Sequence, residues 1–92
     1  MDVEWDPTKE RRNRAAHGVS FEEAATVFDD SLSWTYPDPD HSRGEQRYLT
    51  IGISDRGRVL LVAHVEGRGG IRAISAREAT RRERRFYEET RR

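Results

Sequence analysis

Apolar and polar positions alternate with different periods in different parts of the chain, and the changes of period mark the elements. Val3 and Trp5 fit a short initial strand, and Asp6-Pro7 then reads as a helix N-cap followed by proline at the first helical position. That helix is expected to run to about Ala16 and to stop at His17-Gly18, with Gly18 as a left-handed cap. Ser20-Phe21-Glu22-Glu23 has the form of a capping box. A second short helix follows it, with Phe21, Ala24, Ala25 and Phe28 on one face and its end near Asp29-Asp30. Pro37, Pro39 and Gly44 make most of 31–45 a loop, apart from a strand expected over 33–36.

Period-two alternation dominates the second half. Strands are expected over 46–53 and 58–66, joined at Asp55-Arg56-Gly57, and over 71–75 after the glycine-rich Gly67-Arg68-Gly69-Gly70. Their short connections make them sequential and antiparallel. Ser75-Ala76-Arg77-Glu78 reads as a further capping box, opening a C-terminal helix that continues to about Glu89 with a narrow apolar stripe at Ala76, Ala79, Phe86 and Tyr87. The fold class is therefore α+β: a small antiparallel sheet, two N-terminal helices and one C-terminal helix, in a single domain over 1–92.

Composition narrows what such a domain does. Only 34% of residues are hydrophobic and 37% are charged, so the core is thin. No apolar run approaches the roughly 20 residues of a membrane span, and the acidic N-terminus lacks the apolar stretch of a secretory signal. A cytoplasmic protein with no membrane partner is expected. The absence of cysteine excludes a disulfide scaffold, a thiol nucleophile and cysteine-bound zinc.

The zero net charge conceals an asymmetry. Residues 1–40 carry four basic and ten acidic side chains, and 41–92 carry thirteen basic and seven acidic. Lys9 is the single lysine among seventeen basic residues. Arginine grips phosphate bidentately, so a basic second half points to a surface for nucleic acid, although a GC-rich genome also replaces lysine with arginine. Arg81, Arg82, Arg84, Arg85, Arg91 and Arg92 concentrate this charge near the C-terminus.

Other chemistries find little support. His17, His41 and His64 have no metal-ligand spacing, and although Asp38, Asp40 and His41 could hold a cation, no metal site or cofactor is assigned. The glycine-rich loop lacks the lysine, the hydroxyl residue and the following helix of a phosphate-binding loop, and there is no nucleophile elbow. What remains is a set of polar residues interrupting apolar strands. Arg47 shares a face with Leu49, Ile51 and Ile53, His64 and Glu66 follow Leu60 and Val62, and Arg72 alternates with Ile74. Converging at one end of a sheet face, an Arg, Glu and His cluster could cleave RNA without metal. Equally, such arginines could pair with neighbouring glutamates or reach into solvent.

The order of motifs is itself informative. Glu4-Trp5-Asp6, Lys9, Asn13, His17-Gly18-Val19-Ser20-Phe21-Glu22-Glu23-Ala24, Val27-Phe28-Asp29-Asp30, Gly44-Glu45-Gln46-Arg47 and Ile74-Ser75-Ala76-Arg77-Glu78-Ala79 resemble the BrnT toxin family over nearly the whole chain. The resemblance implies a RelE-like fold and a ribonuclease toxin of a type II toxin–antitoxin system. It also implies a BrnA-like antitoxin that covers the RNA surface and brings the complex to operator DNA. Carried over residue by residue, Glu45 and Arg47 match the family's Gly-Glu-x-Arg element, and Arg77 and Tyr87 its Ser-Ala-Arg element and C-terminal tyrosine. Arg47 and Arg77 are expected on phosphate, Glu45 or His64 as proton carriers, and Arg72, Arg81, Arg84 and Tyr87 along the RNA. Two positions depart from the pattern. Ala16 stands where relatives usually carry lysine, and Gly67 stands where many carry the arginine of a Thr-Glu-Arg stretch, so that Arg68 would have to reach in from the loop. The alternative these departures leave open is a weakly active or inactive module of the same fold that only holds RNA or a partner.

Overall fold

The computed structural model describes residues 2–40 and 44–90. His41, Arg91 and Arg92, which entered the readings of a cation patch and a basic tail, lie outside the described residues. Five strands form one sheet: β1 (Asp2–Glu4), β2 (Trp34–Pro37), β3 (Tyr48–Ile53), β4 (Val59–Glu66) and β5 (Gly70–Glu78), in the order β1-β5-β4-β3-β2. The apolar run Val59–Ala63 explains the place of β4 at the centre, and every residue from Val59 to Val65 is buried.

The α+β class holds, with one change to the sheet. β2 to β5 pair antiparallel in sequence, but β1 lies parallel to β5, so the sheet is mixed. The intervening helices carry the chain from one edge of the sheet to the other. Gly70 makes the parallel pairing possible: its φ is 151°, and a Cβ there would come within 2.6 Å of the Asp2 carbonyl oxygen.

Helices α1 (Pro7–His17) and α2 (Phe21–Thr26) cover one face of the sheet. Both start as their sequences dictate, Asp6 accepting from the Thr8 N–H and Ser20 from the Glu23 N–H, and Gly18 caps α1 at φ 69°. The second helix is shorter than expected, giving way to a 3-10 turn over Val27–Asp29. Val19, Phe21, Ala24 and Val27 meet Leu60, Val62, Ala73 and Ala76 beneath these helices.

The first helix has almost no apolar grip of its own. Its single buried residue is Asn13, whose amide donates to the carbonyls of Val19 and Ala76 at 2.9 and 2.8 Å and accepts from the Ala76 N–H at 3.0 Å. Nearby, the buried Glu23 carboxylate accepts from Ser54 and from the Arg58 guanidinium, which holds its carboxyl below the usual range.

The C-terminal helix corrects the sequence reading. Ser75 to Glu78 continue β5, and α3 spans Arg81–Thr90. The working capping box is Thr80-Arg81-Arg82-Glu83, in which Thr80 N–H donates to Glu83 at 2.8 Å and Glu83 N–H donates to the Thr80 hydroxyl at 3.2 Å. The earlier Ser-to-Glu stretch lies in register with β4 instead, and its Ala76 N–H goes to Asn13. Helix α3 lies on the face opposite α1 and α2, where Tyr87 and Ala79 pack with Ile51, Val59 and Leu61.

Candidate RNA-binding face

Register decides which polar side chains meet. Ile51, Leu61 and Arg77 are direct neighbours across β3, β4 and β5, and Trp34 of β2 extends the same row. Two rows further along, Val65 pairs with Arg72, which in turn pairs with Glu4. Arg47 immediately precedes β3, on the alternation of Leu49 and Ile51. Arg72 and Arg77 therefore share the α3 face of the sheet, the face α1 and α2 leave free.

At the end away from α3 this face opens into a cleft of about 510 Å³ lined by Glu4, Trp5, Asp6, Glu45, Glu66, Gly67, Arg68 and Arg72. The structure thus brings together Glu45, Arg68 and Arg72. Arg72 donates to the Glu45 carboxylate at 2.9 Å in an exposed ion pair, and Arg68 is exposed on the β4–β5 loop. Gly67 leaves the space that the Glu4 carboxylate fills, since a Cβ there would collide with it.

Arg77 sits elsewhere. Leu61 and Val65, the partners of Arg77 and Arg72, are four residues apart, about 13 Å at roughly 3.3 Å per residue. Its guanidinium grips Glu83 through two bonds of 2.8 and 3.0 Å, tying β5 to the first turn of α3. That bond holds the Glu83 carboxyl below its ordinary range and makes Arg77 harder to deprotonate. Beside them, burial and the Glu83 charge push the Tyr36 hydroxyl up.

A small toxin with arginines on one sheet face is what the motifs imply, and comparison with known proteins decides the point. The family model described as the ribonuclease toxin BrnT of type II toxin–antitoxin systems matches residues 5–83. The chain belongs to the BrnT family. Its fold is similar to the 1.1 Å crystal structure of the ribonuclease toxin BrnT of Brucella abortus, with a TM-score of 0.63 and 21% identity over 88% of this chain and 99% of that one. No curated protein matches the chain.

The geometry sets three of the residues expected in the site of this BrnT-family chain apart from the cleft. His64 points to the α1/α2 face, away from the arginines, because it shares the alternation of Leu60 and Val62. It is 5% exposed, lies edge-on to Phe28, stacks on Tyr48 and shares a hydrogen bond with the Thr50 hydroxyl, 2.7 Å from its Nε2. Tyr87 is 1% exposed and donates its hydroxyl to Asp30 at 2.5 Å, so it packs α3 and has no face left for a base. Arg77 is parted from the Glu45 cleft, as described. Arg81 and Arg84 are exposed on α3, open to solvent and to a polyanion.

Sequence reading passed over Glu4 and Asp6 as cleft residues, and Trp34 and Phe86 as a surface pair. The signal for the latter was present: Trp34-Thr35-Tyr36 alternates, placing both aromatic rings on one face of an edge strand. Among the described residues no three His, Asp or Glu side chains gather as metal ligands would, and no helix is long and apolar enough to cross a membrane.

Burial drives the His64 pKa down to about 4, which makes a pH prediction. The unfolded chain binds a proton at this histidine near 6.5 and the folded one does not, so stability is complete above about pH 6.5 and is lost as pH falls toward 4. The total loss from this group is about 3 kcal/mol. Urea unfolding at pH 7 and pH 4.5 should show the decline, and His64→Gln should flatten it. An equal decline in that variant would assign it to the carboxylates.

Proposed function

We propose that this chain cleaves RNA at the Glu45–Arg68–Arg72 cleft without a metal ion, and that a protein antitoxin holds it inactive by covering this face. The observation that carries the reading is the 2.9 Å Glu45–Arg72 pair in the cleft, with Arg68 lining the same cleft. A carboxylate supplies a proton acceptor and the arginines supply fixed positive charge, which together meet the needs of transesterification.

The step balances as follows. The ribose 2′-OH gives its proton to Glu45 as its oxygen bonds to phosphorus. Arg72 and Arg68 stabilise the added negative charge on the phosphoryl oxygens, and the bond to the 5′-oxygen breaks. That oxygen takes a proton from water. The products are a 2′,3′-cyclic phosphate and a free 5′-hydroxyl. Because the nucleophile is the 2′-OH, DNA of the same sequence is not cut. His64, neutral and buried behind the sheet, takes no part.

The antitoxin follows from membership of a toxin–antitoxin family. Its resemblance to BrnA, and contact with operator DNA solely through it, belong to the same proposal, as does a cytoplasmic location.

The test is incubation of the antitoxin-free protein with defined RNA in excess EDTA, followed by mapping of the ends. Cyclic phosphate ends, and an intact 2′-deoxy control, are expected. Cleavage that disappears with EDTA and returns with a divalent cation would overturn the metal-free reading. Intact RNA with the folded protein would favour a module that binds without cutting, or one that cuts only on the ribosome.

A further inference from the structure

A second concavity on the same face is not used by that chemistry. It measures about 460 Å³ and is lined by Trp34, Tyr36, Ile51, Arg82, Glu83 and Phe86. Its walls are aromatic and its floor is Ile51. Two of the lining rings are unusually open for their size: Trp34 is 47% exposed and Phe86 44%, their centroids 6.0 Å apart with the planes at 65°. Most large aromatic side chains in so small a protein are needed in its core, so two left at the surface side by side form a contact patch. Both come from elements already anchored elsewhere, Trp34 through the β2–β3 pairing and Phe86 through the buried neighbour Tyr87.

What borders the patch identifies its occupant. Arg82 lines it, Arg77 reaches its edge through the 2.8 Å bond to Glu83, and Arg81 and Arg85 are exposed on the same helix. A flat apolar platform with guanidinium groups around it matches a nucleotide, whose base is planar and whose backbone is anionic. The patch also lies in line with the cleft: Trp34, Ile51, Leu61 and Arg77 form one row across the sheet, and Val65 and Arg72 lie two rows further on.

We infer that the Trp34–Phe86 groove is a base-stacking subsite for RNA, in which one unpaired base lies on the Trp34 indole with Phe86 as a side wall and a flanking phosphate faces Arg82. This rests on the reading of the α3 face as the RNA face, and deepens it by naming how a nucleotide away from the cut is held. Stacking gains with ring area, so the subsite favours a purine over a pyrimidine and has little further sequence demand.

The test uses short 2′-O-methyl oligonucleotides, which cannot be cut because the nucleophile is blocked: oligoadenylate, oligouridylate and an abasic oligomer of equal length. Fluorescence anisotropy should rank them in that order for the natural protein. Trp34→Ala should weaken oligoadenylate about tenfold, erase its advantage over oligouridylate, leave the abasic oligomer unchanged and leave the salt dependence unchanged. Trp34→Phe should keep most of the preference. Arg72→Ala should weaken all three oligomers and lower the salt dependence.

If Trp34→Ala and Phe86→Ala bind every oligomer like the natural protein while Arg72→Ala weakens them all, the groove is not an RNA subsite, though the RNA face stands. A groove serving a protein partner would give that result. If the natural protein binds none of the oligomers, both the subsite and the RNA face are overturned. Thermal melts of each variant separate loss of binding from loss of fold.

Discussion

Replacing Asn13 with alanine is expected to lower the free energy of unfolding by about 3 kcal/mol, a large part of the stability of a domain this small. The reason lies in how α1 is attached. An ordinary amphipathic helix spreads its attachment over an apolar stripe, whereas this one buries a single side chain, and that side chain is polar. Alanine leaves the N–H and carbonyl of Ala76 and the carbonyl of Val19 without their partner, and each unsatisfied buried group costs about 1–3 kcal/mol. Asn13→Asp should not rescue the loss, because a carboxylate would face two carbonyl oxygens where the amide N–H₂ stood. Lys9→Ala, on the exposed side of the same helix, should change stability by no more than about 0.5 kcal/mol. Urea denaturation of the three variants measures this directly. A loss below 1 kcal/mol for Asn13→Ala would mean that the helix is held by contacts other than this amide.

Glu45→Gln is expected to slow RNA cleavage by about 10²- to 10⁴-fold while leaving the fold intact. Glu45 is exposed and its ion pair with Arg72 lies in solvent, so the structural loss is at most about 1 kcal/mol. The substitution removes the proton acceptor but keeps shape and hydrogen bonding. It also removes a negative charge beside the RNA, so affinity should hold or rise as the rate falls. Arg72→Ala should do the opposite, weakening RNA binding as well as slowing cleavage. Single-turnover rates paired with binding by the uncleavable oligonucleotides distinguish the two patterns. Full activity in Glu45→Gln would remove Glu45 as the base and point to another carboxylate of the cleft, Glu66 first.

How far the sequence could be read depended on whether an interaction is local. The caps of α1 and α2 and the Asp55–Gly57 turn are decided by residues within a few positions of one another, and they stand where the motifs put them. The C-terminal helix shows the opposite case. Ser75-to-Glu78 and Thr80-to-Glu83 have the same capping pattern, and nothing within either stretch ranks them. Pairing of Ser75, Ala76, Arg77 and Glu78 with β4 takes the first into the sheet and leaves the second to start the helix.

The site divides in the same way. Alternation put Arg47 with Leu49 and His64 with Leu60; the His64 placement holds within β4, and Arg47 lies just before β3. Whether those two faces are the same face is a matter of cross-strand register, which the spacing of residues in one strand does not contain. A register shift between Ala63 and His64 moves Ala73, not Ile74, opposite His64. Glu45, Arg68 and Arg72 meet only because the segment before β3, the β4–β5 loop and the start of β5 lie at one end of the sheet. Trp34 and Phe86 meet only because α3 folds back over β2 and β3.

By itself, then, the sequence determined the α+β class, the central apolar strand, most element boundaries and the family, all of which depend on neighbours in the chain or on motif order. The tertiary structure alone decided that His64 and Tyr87 are buried supports, that Arg77 serves α3, and that the arginine-lined face has both a cleft and an aromatic groove. Those outcomes depend on which face and which row a side chain occupies, and the pairing of distant strands sets both.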